Sequence, residues 1–272
     1  MPGGTAAPVQ LVARDADWSG AAPAATLRSF HVVIVGAGFS GLCAATKLDR
    51  LGINWSLFEK NEDLGGGTWF ENAYPHAGVD TPNHFYSYSF APNSRWSGYF
   101  SKRDELWGYS RRVADQFGVT PRIDFAASVE SMIWSDTAQL WDVTVRTNDG
   151  ALRTVHANAV ITATGQLNRP KIPAVPGLPD FVGPCFHTAQ RRHDIPLTGR
   201  RVAVVGTGAS AKQLLAKVAA EAAQVTVFQS SPQWVRPSQD YRRSVTAKMV
   251  WVAGERAVLC QLVPLRAVVA IR

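Results

Sequence analysis

The sequence predicts an α/β fold with two Rossmann-like dinucleotide-binding domains, the second of them incomplete. An apolar run followed at once by a glycine-rich turn occurs twice, at Gly36 and at Gly206. Each turn leads into a helical stretch and then into a second apolar strand, and the two copies keep the same spacing between these parts. A single glycine-rich turn also serves plain packing of a strand against a helix. Two copies with equal spacing favour nucleotide binding.

The first copy has the features of a phosphate-binding turn. Residues 31–35 are uniformly apolar, as is typical of a strand buried on both faces of a parallel sheet. The turn Gly36-Ala37-Gly38-Phe39-Ser40-Gly41 follows, and a helical stretch covers about residues 42–51. In G-x-G-x-x-G the first glycine forms the tight turn, the second lets the backbone approach a pyrophosphate, and the third allows close packing of helix on strand. The N-terminus of the helix then presents unpaired N–H groups to the phosphates.

The residue after the second strand distinguishes the two copies. In the first copy, strand 55–58 ends at Glu59, where a carboxylate can accept both ribose hydroxyls of an adenosine. In the second copy, strand 201–205, the turn Gly206-Thr207-Gly208-Ala209-Ser210-Ala211, a helix over about residues 210–222 and strand 225–228 lead to Gln229 at the equivalent position. A neutral residue tolerates a 2′-phosphate that a carboxylate would repel. The second copy is therefore predicted to bind NADP, with NAD left open.

Composition and charge exclude several classes of function. The net charge of +7 comes from scattered basic residues without a Lys/Arg run, so it favours anionic cofactors and not a nucleic acid. The three cysteines are far apart in sequence. They form neither a metal site nor a disulfide framework, and they lack the close redox pair of flavin disulfide reductases. Their spacing indicates a reducing compartment, and we expect a cytoplasmic protein.

The sequence lacks a recognisable membrane segment. Residues 1–29 have no basic start followed by an apolar core, and the apolar stretch 249–270 is interrupted by charges and by Pro264. We expect residues 1–29 to be a loose N-terminal extension. A proline-punctuated stretch predicts the domain boundaries: we expect residues 30–168 to form a first dinucleotide-binding domain, 169–198 a linker, and 199–272 a partial NADP-binding domain.

Between the two copies the sequence predicts further local elements. Residues 61–95 are dense in Gly, Pro and aromatic residues and are predicted to be loops. Residues 101–104 resemble a capping box that opens a helix. Alternation over 141–146 followed by Asn148-Asp149-Gly150 predicts a half-buried strand and a hairpin turn, and residues 159–163 are predicted to be another buried strand.

Ordered motifs give the chain a resemblance to the flavin-containing and Baeyer-Villiger monooxygenases over about residues 31–240. The stretch from Gly66-Gly67-Thr68-Trp69 through Tyr74-Pro75 to Asp80 is similar to one Baeyer-Villiger signature, and Phe181-x-Gly183-x-x-x-His187 is similar to the other. The resemblance implies that FAD and NADPH are the cofactors, with residues 30–168 as the FAD-binding domain. The implied reaction inserts one oxygen atom of O2 into a ketone or adds it to a soft nitrogen or sulfur nucleophile. Substrate identity and oligomeric state stay open.

The resemblance also implies roles for individual residues. Asp80 would be the catalytic residue beside the flavin, and His187 would lie in the linker that couples the two domains. The residues implied for FAD are Gly36, Gly38, Phe39, Ser40, Gly41, Glu59, Lys60, Gly67, Thr68, Trp69, Asp80, Tyr86 and Val129. Those implied for NADP are Gly206, Thr207, Gly208, Ala209, Ser210, Gln229 and Ser230.

The chain departs from the family pattern at several places. His76 and Arg191 replace the usual residues of the two signatures, and Ser230 occupies the position where the family commonly has an arginine for the 2′-phosphate. Lys212, Arg191 or Arg236 could substitute for that arginine.

Family members continue well beyond Arg272, so the resemblance implies a C-terminal truncation and places the arginine that faces Asp80 in the missing part. Two alternatives to a complete monooxygenase therefore remain open. One is an incompetent nucleotide-binding fragment, and the other is an NAD(P)H oxidase that reduces O2 to hydrogen peroxide.

Overall fold

The computed structural model describes residues 29–246, and its first unit is built on a four-stranded parallel sheet. The sheet contains β1 (His31–Val35), β2 (Asn54–Phe58), the short β3 (Ile123–Asp124) and β7 (Ala159–Thr162), arranged β3-β2-β1-β7. The three central residues of β1 are buried, as the uniform apolar run predicts. The Rossmann-like arrangement of the first copy is therefore confirmed.

Two helices cover one face of this sheet. Helix α1 spans Phe39–Arg50 and α2 spans Arg103–Gln116, and their buried faces share one apolar core with the alternate β1 residues Val32 and Ile34. Helix α1 begins three residues earlier than the sequence predicts. The reason is that Gly41 has no side chain and can therefore lie inside the first turn of α1, packed closely against the backbone at Gly36.

A three-stranded antiparallel sheet covers the opposite face. It consists of β4 (Ser128–Ser135), β5 (Leu140–Arg146) and β6 (Leu152–Ala157). Val143 and Val145 of β5 pack with Val33 and Phe58 in a second core, so the predicted half-buried strand is confirmed. The hairpin turn is confirmed as well, because the Gly150 amide donates to the Thr147 carbonyl at 2.9 Å.

Three local predictions are wrong. The strand predicted to be buried over 159–163 is β7 at the sheet edge, where Ile161 and Thr162 are exposed because no further strand within residues 29–246 covers them. The capping box does not form: Lys102 occupies the N-cap position of α2 without a side-chain capping bond, and the buried Ser101 hydroxyl donates to Glu105. The stretch predicted as loops contains a short π-helical turn, Gly67–Glu71.

The second copy folds as a smaller strand-helix-strand unit. Strands β8 (Arg201–Val205) and β9 (Gln224–Phe228) pair in parallel, and helix α3 spans Ala209–Glu221, within one residue of its predicted bounds. Leu214 and Val218 of α3 form a small core with Leu197. Within the described part of the chain, no helix has both the length and the apolar character that crossing a membrane would need. The N-terminal extension before Ser29 and the apolar segment 249–270 lie outside the described residues.

Candidate functional site

The first glycine turn has the geometry of a phosphate cradle. Gly36 has φ +101°, and a Cβ there would lie 2.9 Å from the carbonyl oxygen of Ala163. A Cβ on Gly41 would approach the Gly36 carbonyl oxygen to 1.9 Å. A Cβ on Gly38 would meet no atom within 4 Å, and no side chain caps the first turn of α1. The fold therefore requires glycine at positions 36 and 41, where a side chain would clash with the backbone. Gly38 instead borders open space in front of the N–H groups of the helix.

A second glycine-rich segment borders the same space. The Gly65 amide donates to the Ala37 carbonyl at 3.0 Å. Gly66 has φ +58°, and a Cβ there would lie 3.3 Å from the Cα of Gly38. The signature segment that begins at Gly66 thus packs directly against the phosphate cradle, and Gly67 opens the π-helical turn beside it.

Glu59 is held at the edge of this cradle by backbone donors. Its carboxylate is buried and accepts hydrogen bonds from the Ala37 amide at 2.7 Å and from the Asn61 amide at 3.0 Å. Burial raises the pKa of Glu59, and the two N–H donors oppose that rise. The Asn61 side chain also donates to Glu59 and to Glu71, and Glu71 pairs with Lys60 at 2.7 Å. The carboxylate is therefore fixed in place against the turn.

An aromatic cluster lies beside the cradle and within electrostatic reach of Asp80. The buried Trp69 donates from Nε1 to the Tyr86 hydroxyl at 3.2 Å, and Phe39 packs against Tyr86 with ring centroids 5.1 Å apart. Burial raises the pKa of Tyr86, and the negative charge of Asp80 adds to this rise. Asp80 itself is exposed, as is Thr68, and among residues 29–246 Asp80 forms no ion pair.

Two further tyrosines support this cluster, and the sequence motifs did not identify them. The Tyr88 hydroxyl donates to the Phe39 carbonyl at 2.7 Å, and the Tyr109 hydroxyl accepts from the Tyr88 amide and donates to the Ala91 carbonyl. Burial raises the pKa of Tyr88, and it raises the pKa of Tyr109 to about 12. Both hydroxyls therefore stay protonated at neutral pH and hold Phe39 at the start of α1.

The second glycine turn repeats the open geometry of the first. Gly206 has φ +100°, a Cβ on Gly208 would meet no atom within 4 Å, and no side chain caps α3. Gln229 and Ser230 are exposed at the end of β9, and the Gln229 amide donates to the Ser231 carbonyl at 2.9 Å. Thr207, Ala209 and Ser210 lie on the turn and the first turn of α3.

The remaining candidate residues lie outside the two glycine turns themselves. Val129 lies in β4 and packs against the second core. His187 accepts the Ala189 amide on Nδ1 at 3.2 Å within the linker. The half-buried Arg191 has a buried Nε without a hydrogen-bond partner among the described residues. Lys212 donates to the Trp234 carbonyl at 3.3 Å, and Arg236 is exposed.

Tyr74 and Gln213 form one of the contacts between the two units, and no sequence motif predicts it. The Tyr74 hydroxyl donates to the side-chain oxygen of Gln213 at 3.0 Å, and the Gln213 amide donates to the Gly78 carbonyl at 2.9 Å. Tyr74 belongs to the signature segment, while Gln213 lies in α3. Because the partners lie far apart in sequence, spacing rules could not pair them.

Known proteins share this arrangement. A Baeyer-Villiger monooxygenase from Streptomyces coelicolor is 43% identical over 212 residues, which are 77% of this chain and 40% of that protein. A Baeyer-Villiger monooxygenase from Pseudomonas aeruginosa is 33% identical over 246 residues, which are 86% of this chain and 46% of that protein. The chain thus spans less than half the length of these relatives.

Solved structures give the same result. The closed structure of a cyclohexanone monooxygenase matches with a TM-score of 0.74 and 33% identity, over 83% of this chain and 43% of that one. An oxidised steroid monooxygenase bound to NADP matches with a TM-score of 0.73 and 34% identity, over the same shares. The family model described as flavin-binding monooxygenase-like matches residues 29–271. The chain therefore belongs to the flavin-binding monooxygenase-like family.

Proposed function

We propose that this chain forms the FAD- and NADPH-binding part of a flavin-dependent monooxygenase that transfers one oxygen atom of O2 to a ketone. One observation carries the proposal: two open glycine turns are followed by different residues, the buried acid Glu59 after the first and the exposed, neutral Gln229 after the second. A carboxylate suits the ribose hydroxyls of FAD, and a neutral residue tolerates the 2′-phosphate of NADPH. Membership of the family supplies the reaction class.

The first turn would hold the adenosine diphosphate of FAD. The space in front of Gly38 fits a pyrophosphate, because the N–H groups at Phe39, Ser40 and Gly41 begin a helix that no side chain caps. The Glu59 carboxylate would accept the ribose hydroxyls, since Asn61 and Ala37 already orient it. Gly36 shapes the turn, and Lys60 and Val129 would flank the adenosine.

The aromatic cluster would border the flavin ring. Tyr86 accepts from Trp69, and its raised pKa keeps a proton that the hydroxyl can donate. Gly67 and Thr68 lie on the same π-helical turn as Trp69. Asp80 would hold a cationic group beside the flavin, and it is the residue to which we assign the catalytic role.

The second turn would hold NADPH. Gly206, Thr207, Gly208, Ala209 and Ser210 would contact its pyrophosphate, and Gln229 and Ser230 would face the 2′-phosphate. Lys212 is the cation nearest in sequence to this turn, because it lies within the first turns of α3. These assignments rest on the repeated open geometry of the turn.

When bound, FAD supplies the hydride acceptance and O2 activation that side chains lack. The residues of this chain position the two cofactors and keep water away from the reacting atoms. Phe39, Trp69 and Tyr86 suit the second task, because they form a packed aromatic wall on one side of the space. A ketone is the favoured substrate because the similar proteins are named as Baeyer-Villiger and cyclohexanone monooxygenases.

The test separates cofactor binding from oxygen transfer. Purified chain is mixed with FAD, passed through a desalting column and titrated anaerobically with NADPH while flavin absorbance is followed. We expect FAD to be retained at one per chain and bleached by NADPH, and a Gly38→Ala variant to lose the flavin. No retained flavin in the wild type would refute the proposal.

Oxygen transfer is then measured in air with cyclohexanone or thioanisole and a peroxide assay. Lactone formation supports the ketone reaction. Sulfoxide alone indicates a soft-nucleophile oxygenase, and peroxide alone indicates an oxidase. Sulfoxide alone contradicts the proposed substrate class, and peroxide alone contradicts oxygen transfer by this chain.

A further inference from the structure

We propose that Gln213 is a positioning residue that transmits nucleotide binding at the second glycine turn to the loop bearing Asp80. This inference rests on the proposed function. Its basis is the contact between the two units, in which one side chain engages the loop at two points. The Gln213 oxygen accepts from Tyr74, and its amide donates to Gly78.

The Tyr74 ring strengthens this connection. It packs against the small core of the second unit, formed by Leu197, Leu214 and Val218. The residue therefore belongs to the first unit by sequence but packs with the second. Residues 74–78 are thus held on one side by α3, through apolar contact and through both polar atoms of one amide.

The loop leaves little room to absorb a movement of α3. A Cβ on Gly78 would lie 2.7 Å from the Ser101 carbonyl oxygen, and the neighbouring Val79 is buried and donates to the same carbonyl at 3.1 Å. Gly78 is thus confined between Ser101 on one side and Gln213 on the other. Asp80 follows two residues later, so displacement of the Gly78 carbonyl changes the position of Asp80.

Helix α3 connects Gln213 directly to the nucleotide. The helix begins at Ala209, and Gln213 lies four residues later, on the same face and about 6 Å along the axis. A phosphate bound by the first N–H groups of α3 would act on the position of a short, rigid element. Among the described residues, the Gln213 amide and the Tyr74 ring then link that helix terminus to the Asp80 loop.

Hydrogen exchange in peptides covering residues 76–83 tests the link, because it reports on the loop without requiring turnover. NADP+ is added to the intact chain, its dissociation constant is measured by calorimetry, and exchange is compared with and without the nucleotide. We expect bound NADP+ to slow exchange in this loop at least threefold in the wild type. Lys217→Met, on the exposed side of α3, is the matched control and should show the same slowing.

Two substitutions remove the donor to Gly78. Gln213→Met removes both polar contacts. Gln213→Glu keeps an acceptor for Tyr74, so in this variant α3 stays docked on the loop, and the test remains available even if the methionine variant does not fold. We expect both to bind NADP+ within a few-fold of the wild type but to lose the slowing at residues 76–83. Equal slowing in the glutamate variant, or bound NADP+ without slowing in the wild type, overturns the inference alone. Absence of NADP+ binding to the wild type overturns the NADPH assignment and the inference together.

Discussion

Gly41 packs so closely against Gly36 that a methyl group on Gly41 would lie 1.9 Å from the Gly36 carbonyl oxygen. Gly38, between them in the same turn, has open space where its side chain would be. The three glycines of this one motif are therefore required for different physical reasons. The first and third are required by the protein itself, and the second is required only by a ligand.

Gly41→Ala should destabilise the fold whether or not FAD is present. The new methyl group meets backbone, which cannot rotate away, so α1 must shift from β1; overpacking of this kind costs about 1–3 kcal/mol or more. Urea denaturation followed by far-UV circular dichroism measures the change in the free energy of unfolding. A variant as stable as the wild type would show that α1 starts differently from the structure.

Gly38→Ala should leave the stability within about 0.5 kcal/mol of the wild type and weaken FAD binding at least tenfold. Its φ of −76° suits alanine, and the methyl group enters the space that we assign to the pyrophosphate. Flavin fluorescence titration measures the affinity. Gly208→Ala is the matched control at the second turn, where φ is −65° and the space is equally open. It should weaken NADP+ binding and leave FAD binding unchanged; the reverse pattern would exchange the two assignments.

FAD binding should strengthen as the pH rises through a window that begins near the ordinary Glu59 value of 4.5 and extends above it, because burial raises this pKa. Only the ionised carboxylate accepts both ribose hydroxyls. In the free protein the sign is opposite: a raised pKa means that the folded state binds the proton more tightly than the unfolded chain. The contribution of Glu59 to stability therefore falls as the pH rises through the same window.

Glu59→Gln should remove the Glu59 contribution to both pH dependences and weaken FAD binding about tenfold or more at pH 7, since a charge-assisted hydrogen bond is worth about 1.5–3 kcal/mol. Titrations of FAD at several pH values, with parallel urea denaturation, give both quantities. A glutamine variant that keeps the pH dependence of the wild type would assign it to another group. His31 and His84 cannot supply the stability term, because burial lowers the pKa of each and a lowered pKa makes stability rise with pH.

The elements that carry a strong local pattern could be predicted from the sequence, and those set by distant contacts could not. The strands beside the glycine turns, α3 and the hairpin at Gly150 follow from apolar runs and turn chemistry. Strand β4 could not be predicted, because its apolar and polar residues do not alternate regularly. Antiparallel pairing with β5 makes this segment a strand. The edge position of β7 depends on what packs beside it, which an apolar run does not encode.

The candidate site divides in the same way. Glu59 could be placed from its distance along the chain to the glycine turn, because strand, turn and helix are local and regular. The Asn61 donors that orient Glu59 could not be predicted in this way, and neither could the tyrosines that support Phe39. These contacts depend on how the irregular segments after β2 fold. Gln213 could not be paired with Tyr74 for the same reason.

Ser230→Arg should increase the preference of this chain for NADP+ over NAD+ about tenfold. Ser230 is exposed directly after Gln229 at the end of β9, so an arginine there can reach a 2′-phosphate from solvent without disturbing the fold. A guanidinium adds a charge-assisted, bidentate contact that the serine hydroxyl does not make, and NAD+ has no phosphate to receive it. Calorimetric dissociation constants for both nucleotides give the preference as a ratio.

Ser231→Arg is the matched control, because it adds the same charge one residue further along the chain, and only the Ser231 carbonyl contacts Gln229. If both variants raise the ratio equally, the gain comes from net charge alone and Ser230 does not face the 2′-phosphate. If neither variant changes it, another cation already binds the phosphate, and Lys212→Met should then lower NADP+ affinity while leaving NAD+ affinity unchanged.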